Sequence, residues 1–142
     1  MNMTVAYSII PIPVADQDEA LRFYTEKLGF EKRADVTFGP GLRLLTVSPR
    51  GQRRPVIALA RSDTFPSGQQ QSREHEDLWV IGTEDCYRVY EILLMRGVRF
   101  VSPPTRHIYG IEAIFADPYG NKFSLLERSP RVFSACERDN AA

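Results

Sequence analysis

Residues 13–30, which read PVADQDEALRFYTEKLGF, and residues 81–98, which read IGTEDCYRVYEILLMRGV, follow one plan. Each stretch begins in an apolar strand, continues through acidic residues suited to a helix start, and runs into an amphipathic helix. Each helix then meets a glycine stop, Gly29 or Gly97, and these glycines lie about half the chain length apart. This internal repeat predicts two similar modules, and such pairs often place a site in the crevice between them.

Three further strands are predicted after each helix, so each half forms a βαβββ module. Asp16 with Glu19 resembles a capping box and begins the first helix, which ends at Leu28. We therefore expect an α+β fold in which two tandem modules form curved mixed sheets around a crevice. The first predicted module covers 5–61, with strands at 7–14, 30–38, 42–48 and 55–61. The second covers 77–128, with strands at 77–82, 98–102, 110–116 and 121–127 and a helix at 84–96. A polar linker at 62–76 joins the two modules, and a polar tail follows at 129–142.

Length and composition limit the class of protein. A chain of 142 residues is expected to form one compact domain overall. Its 18 basic and 18 acidic residues give a net charge of zero, which argues against a broad nucleic-acid interface. Cys86 and Cys136 show neither metal-ligand nor disulfide spacing, and no segment resembles a signal peptide or a bilayer span. We therefore expect a cytoplasmic protein without a nucleic-acid or membrane partner.

Six short motifs carry a resemblance to a known family. They are VAD at 14–16, ALRFY at 20–24, LGF at 28–30, RGV at 96–98, FADPYGN at 115–121 and FSLLE at 123–127. In combination, over residues 7–128, they resemble the vicinal oxygen chelate superfamily, which includes glyoxalase I, extradiol dioxygenases, fosfomycin-resistance enzymes and bleomycin-binding proteins. The resemblance implies a concave sheet and a homodimer whose sites form across modules or subunits.

The same resemblance implies three metal-ligand positions, from which this chain departs. Metal-dependent members place a His on the first strand, a His or Gln at the equivalent point of the second half, and a Glu on the last strand. Those positions hold Ile9, then Leu78 (or Asp77 by an alternative count), and Ser124. Divalent ions require converging carboxylates, carbonyls or imidazoles. We therefore predict no metal ligands and no cofactor, with a divalent metal as the alternative.

Strand parity points to one acidic side chain in the cavity. Side chains alternate between the two faces of a strand, so Ser124 and Leu126 share the cavity face. A tight turn at residues 117–121 sets Ile114 opposite Ser124 and Glu112 opposite Leu126. Glu112 then points into the cavity, where a carboxylate could hold a cationic ligand group or act as a base. The alternative is a solvated glutamate at a sheet edge.

His107 and Tyr109 precede the strand of Glu112, in a loop that often borders the pocket in similar proteins. A histidine beside an acid could transfer a proton, and the alternative is a surface histidine. The predicted catalytic residues are Glu112 and His107, and the predicted ligand-binding residues are Ile9, Leu78, Val80, Tyr109, Glu112, Ile114 and Ser124.

Strand parity places Glu127 and Trp79 on the face opposite the predicted cavity face of Ser124. Glu127 is expected to be exposed or paired there, and Trp79 is expected to pack under a helix. In the strand at 42–48 the alternation leaves open whether Arg43 and its parity mates or Leu44 and its parity mates face the cavity.

Three functions follow from these residues and the resemblance. The first is a metal-free protein of the antibiotic-resistance type that binds a small hydrophobic or aromatic molecule. The second is a metal-dependent lyase, isomerase or dioxygenase with displaced ligands such as Glu112, His107 and Asp77. The third is a metal-independent acid–base enzyme that uses Glu112 or His107.

Overall fold

The computed structural model describes residues 2–3, 9–62 and 79–129. The chain divides into two compact units at the boundary between residues 75 and 76. The first unit contains β1 (Ile9–Val14), α1 (Gln17–Arg22), a π-helical turn (Phe23–Lys27), β2 (Glu31–Gly39), β3 (Leu42–Ser48) and β4 (Val56–Arg61). The second unit contains β5 (Trp79–Gly82), α2 (Cys86–Met95), β6 (Arg99–His107), β7 (Gly110–Ala116) and β8 (Lys122–Arg128). The predicted linker and tail lie almost wholly outside the described residues, and their boundaries stay predictions.

Both units have the same strand topology, which confirms the α+β fold of two tandem βαβββ modules. The strand order is β1-β4-β3-β2 in the first sheet and β5-β8-β7-β6 in the second. In each sheet the first strand pairs in parallel with the last, and the other pairs are antiparallel. The parallel pair follows from the helical crossover, which returns the chain to the far edge of the sheet before the meander brings it back.

An aspartate caps the helix of each module: Asp16 as predicted in the first, and Asp85 in the second, where the helix begins at Cys86 and not at the predicted residue 84. The Asp16 side chain accepts from the Glu19 backbone N–H at 3.1 Å, and the Asp85 side chain accepts from the Arg88 backbone N–H at 3.1 Å. These bonds satisfy one otherwise unpaired donor at each helix start. After each helix Gly29 or Gly97 adopts a positive φ, which glycine accepts without steric cost.

The first helix departs from the prediction of one continuous α-helix. Its second half is a π-helical turn, in which the Leu28 backbone N–H donates to the Phe23 carbonyl. The wider turn allows the consecutive aromatic residues Phe23 and Tyr24 both to lie inward, and both are buried.

β6 is longer than predicted. The sequence prediction ends this strand at Ser102, whereas the structure continues it to His107. Within the part of the chain that the structure describes, β6 is an edge strand that pairs only with β7, and its register shifts on both sides of Ser102. Prolines are compatible with an edge strand and with bulges, so Pro103 and Pro104 do not end it. His107 is therefore the last strand residue and not part of a loop.

One face of each sheet packs against the helix of its own module. In the second module the Cys86 Sγ atom lies 3.6 Å from the Leu125 carbonyl, and the Tyr90 ring contacts the Phe100 ring. In the first module Arg43 bonds to Asp18 of α1, so Arg43 and its parity mates Leu45 and Val47 face the helix. Leu42, Leu44 and Thr46 therefore lie on the opposite face, which we call the helix-distal face of the sheet. None of the helices in the described part of the chain is long and apolar enough to cross a membrane.

Candidate functional site

The helix-distal face of the second sheet holds most of the residues predicted for the site. β7 and β8 pair in the register expected from the turn at 117–121, because Ala116 lies opposite Lys122. Ile114 consequently faces Ser124, and Glu112 faces Leu126, as predicted. On the other side of β8, Val80 of β5 is the partner of Ser124. A buried hydroxyl thus lies between hydrocarbon side chains on the two neighbouring strands.

Two hydroxyl groups hold the Glu112 carboxylate, one from β8 and one from the turn between β6 and β7. The Ser124 hydroxyl donates to Oε2 at 2.5 Å, and the Tyr109 hydroxyl donates to Oε1 at 2.9 Å. Nε2 of His107 lies 4.0 Å from Oε1. The Glu112 side chain is only 19% exposed, so the carboxylate lies largely within the sheet surface. We call Glu112, Ser124, Tyr109 and His107 the Glu112 cluster. The alternative hypothesis, that Glu112 is a solvated glutamate at a sheet edge, does not describe a carboxylate with this burial and these bonds.

His107 is the last residue of β6, and Tyr109 lies within the two-residue turn that joins β6 to β7. Their rings stack with centroids 4.9 Å apart and planes inclined by 4°. The hydrogen bond to Glu112 raises the pKa of the Tyr109 phenol above its ordinary value, with burial and the carboxylate charge adding to the effect. The phenol therefore remains a donor at neutral pH, and it fixes the orientation of the carboxylate.

The remaining predicted ligand-binding residues are distributed as follows. Val80 is 61% exposed, and Ile114 is partly buried. Ile9 is 48% exposed on the helix-distal face of the first sheet, and so belongs to the other module. Leu78 lies outside the described residues, as does Asp77. The structure therefore brings together His107, Tyr109, Glu112, Ile114, Ser124 and Val80.

The residues that the structure describes do not form a site for a divalent metal ion. Ile9 offers only hydrocarbon, and the Ser124 hydroxyl is neutral and already donates to Glu112. Among residues 9–62 and 79–129 no three His, Cys, Asp or Glu side chains converge as a metal site would require. Of the alternative ligand set of Glu112, His107 and Asp77, Asp77 lies outside the described residues, so that set stays a prediction.

Glu127 has a structural role on the other face of β8. Its Oε1 atom accepts from the Cys86 backbone N–H at the start of α2, at 3.0 Å. The prediction that parity sets Glu127 apart from Ser124 is confirmed. Burial raises the pKa of the Cys86 thiol, and the Glu127 carboxylate adds to the shift. Cys86 is fully buried and so belongs to the core, and a thiol with a raised pKa is a poor nucleophile.

Sequence reasoning missed a cleft in the first module. β3 and β4 pair at only two positions, and beyond them the Gln17 side-chain amide donates to the Arg43 carbonyl at 3.2 Å and to the Leu59 carbonyl at 2.8 Å. The sequence signal that could have suggested this bridge is the position of Gln17 directly after the helix-capping Asp16. The cleft has a volume of about 240 Å³ and is lined by Gln17, Phe38, Gly41, Leu42, Arg43, Leu44, Ala60 and Arg61.

Arg43 stabilises the wall of this cleft. Its guanidinium makes two hydrogen bonds to Asp35 and one to Asp18, each of 2.8 Å. This bidentate pairing lowers the pKa of the Asp35 carboxyl and raises the pKa of Arg43. Because its guanidinium is already bonded to the carboxylates of Asp35 and Asp18, we do not predict that Arg43 contacts a ligand.

Comparison with known proteins agrees with this fold. A protein of Shewanella frigidimarina is 34% identical over 124 residues, which are 83% of this chain and 90% of the relative. The crystal structure of UcmS2 is 38% identical with a TM-score of 0.74, and covers 88% of this chain and 99% of its own. The crystal structure of TnmS3, described as an antibiotic binding protein from Streptomyces sp. CB03234, is 30% identical with a TM-score of 0.72, and covers 90% of this chain and all of its own.

A family model extends over nearly the whole of both modules. The model of the Glyoxalase/Bleomycin resistance protein/Dioxygenase superfamily matches residues 4–125. With the paired βαβββ sheets and the relatives of similar length, this match shows that the chain belongs to that superfamily.

Proposed function

We propose that the protein binds a small hydrophobic or aromatic molecule, without a metal ion, on the helix-distal face of its second sheet. The observation that carries this proposal is the Glu112 cluster, a carboxylate fixed by two hydroxyl groups beside the hydrocarbon of Val80 and Ile114. A largely apolar surface with a few oriented polar groups is typical of small-molecule sites. The role of Ile9 in binding stays a prediction.

Two further observations support binding over metal-assisted chemistry. The positions at which metal-dependent relatives are expected to carry ligands offer hydrocarbon at Ile9 and a neutral hydroxyl at Ser124. One relative of 30% identity, TnmS3, is described as an antibiotic binding protein. We propose that this chain likewise takes a ligand of antibiotic type, which it sequesters rather than converts. A homodimer and a cytoplasmic location belong to the same proposal and stay predictions.

A metal-independent acid–base enzyme is the second candidate. It is favoured by the proximity of His107 to Glu112, with 4.0 Å between Nε2 and Oε1. An imidazole and a carboxylate at this distance require only a small side-chain movement to share a proton. Chemical change of a bound molecule, abolished in Glu112→Gln, distinguishes this candidate from simple binding.

The first test combines elemental analysis with a binding titration. The protein is dialysed against chelator, its metal content is measured, and 1-naphthalenemethanol is titrated by calorimetry before and after Zn²⁺, Ni²⁺, Mn²⁺ or Fe²⁺ is added. We expect no stoichiometric metal, the same affinity with and without the ions, an unchanged thermal midpoint, and recovery of the probe intact. A stoichiometric metal that the probe requires, or failure of the metal-free protein to bind either this probe or its charged naphthalene analogues, would overturn the proposal.

A further inference from the structure

We infer that the ligand of this site carries a cationic nitrogen, and that Glu112 pairs with it while the aromatic or apolar body of the ligand lies along Val80 and Ile114. The inference rests on the proposed function and names the chemical class of its ligand: a ring-bearing amine that is protonated at neutral pH.

The first step of the argument is the unused bonding capacity of the carboxylate. Each carboxylate oxygen can accept about two hydrogen bonds. In Glu112 one hydroxyl is bound to each oxygen, from Ser124 and from Tyr109. One acceptor site therefore remains on each oxygen for a further donor. The two hydroxyls hold the group in a single orientation, so a ligand does not have to order it.

The second step is charge. Both hydroxyl donors are neutral, so they orient the Glu112 carboxylate without neutralising it. Among the described residues, His107 brings a basic group close to it, and its Nε2 lies 4.0 Å away, beyond hydrogen-bond distance. Three further basic residues lie on the helix-distal face, and none of them is a cross-strand partner of Glu112. They are Arg99, Lys122 and Arg128. A largely buried carboxylate to which no cation of the described residues is bonded is a favourable partner for a cationic ligand.

The third step concerns the aromatic rings beside the carboxylate. The stacked His107 and Tyr109 rings form an aromatic surface next to Glu112, and His107 keeps 39% of its side chain exposed. An aromatic face within about 6 Å also attracts a cation through the ring quadrupole. A ligand that joins a ring to a protonated amine therefore satisfies the carboxylate and the ring surface together, which neither a neutral nor an anionic ligand does.

The experiment compares three probes that share the naphthalene ring. 1-Naphthylmethylamine is cationic, 1-naphthalenemethanol is neutral, and 1-naphthoate is anionic at neutral pH. Their affinities are measured by calorimetry with the full chain, with Glu112→Gln, and with the control Glu127→Gln. The control makes the same substitution on the opposite face of β8, where the amide oxygen still accepts from Cys86.

We expect the amine to bind about tenfold more tightly than the alcohol, because a charge-assisted hydrogen bond is roughly twice as strong as a neutral one. The naphthoate should bind more weakly than the alcohol. Glu112→Gln should remove the preference for the amine while it keeps the affinity for the alcohol within about threefold, and Glu127→Gln should keep the preference. Equal binding of amine and alcohol to the full chain, or a preference for amine that persists in Glu112→Gln, would overturn the inference and leave the proposed function standing. Failure of all three probes to bind would overturn the proposed function itself.

Discussion

At the scale of single residues, the acidic group of this site lies one strand away from the position that the family resemblance suggests. Ser124 occupies that position on β8, and its hydroxyl donates to Glu112 on β7. Parity and the tight turn were sufficient to predict that Ile114, Ser124 and Glu112 share a face, because both rules depend only on backbone geometry. The bonds among the side chains were not predictable, since they depend on rotamers that sequence spacing does not determine.

The Tyr109–Glu112 bond makes a prediction about titration. Because the Glu112 carboxylate accepts from the phenol and repels a phenolate, it raises the pKa of Tyr109. Glu112→Gln should therefore lower that pKa toward the ordinary tyrosine value of about 10. Absorbance near 295 nm followed through alkaline pH measures the change, and Tyr109→Phe identifies which transition belongs to this residue.

The sign of the linked stability follows from the same shift. A group whose pKa is raised by folding contributes stability below its unfolded pKa, and loses that contribution as the pH rises through its folded pKa. Identical alkaline titrations of Tyr109 in the full chain and in Glu112→Gln would mean that the hydrogen bond is not formed in solution.

At the scale of elements, local signals predicted where helices begin and end better than where strands end. Asp16, Gly29 and Gly97 act where the sequence placed them, because caps and positive-φ stops act within a few residues, whereas α2 begins after Asp85 and not at the predicted residue 84. The extension of β6 through Pro103 was missed, because only the tertiary structure shows that this strand is an edge strand. Its consequence is functional, since the longer strand brings His107 next to Glu112.

The cap of α2 makes a prediction about stability. Asp85→Ala removes the acceptor of the Arg88 backbone N–H and should lower the free energy of unfolding by about 1 kcal/mol. Urea-induced unfolding measures this loss. Asp85→Asn is the matched control, because its side-chain oxygen can still accept the bond and should restore most of the stability. An Asp85→Ala protein as stable as the original would show that Glu127, which bonds at the same helix start, is sufficient alone.

At the scale of the whole molecule, one sequence plan used twice gives two sheets with the same strand order and different chemistry. The repeated helix and its glycine stop predicted this architecture, because the strand order follows from the connections between elements. The helix-distal face of the first sheet is rich in exposed apolar residues, such as Ile9 and Leu44. That of the second carries the Glu112 cluster. Repetition predicts the fold, whereas the differences between the copies carry the candidate site.

The central claim is that a ligand binds on the helix-distal face of the second sheet, and chemical-shift mapping tests it most directly. 1-Naphthylmethylamine is titrated into chelator-treated, ¹⁵N-labelled protein, and the amide resonances are followed. We predict saturable shifts concentrated at Val80, Tyr109, Glu112, Ile114 and Ser124, with small changes along α2. Shifts concentrated on α2, or no saturable shift at these five residues, would contradict the account.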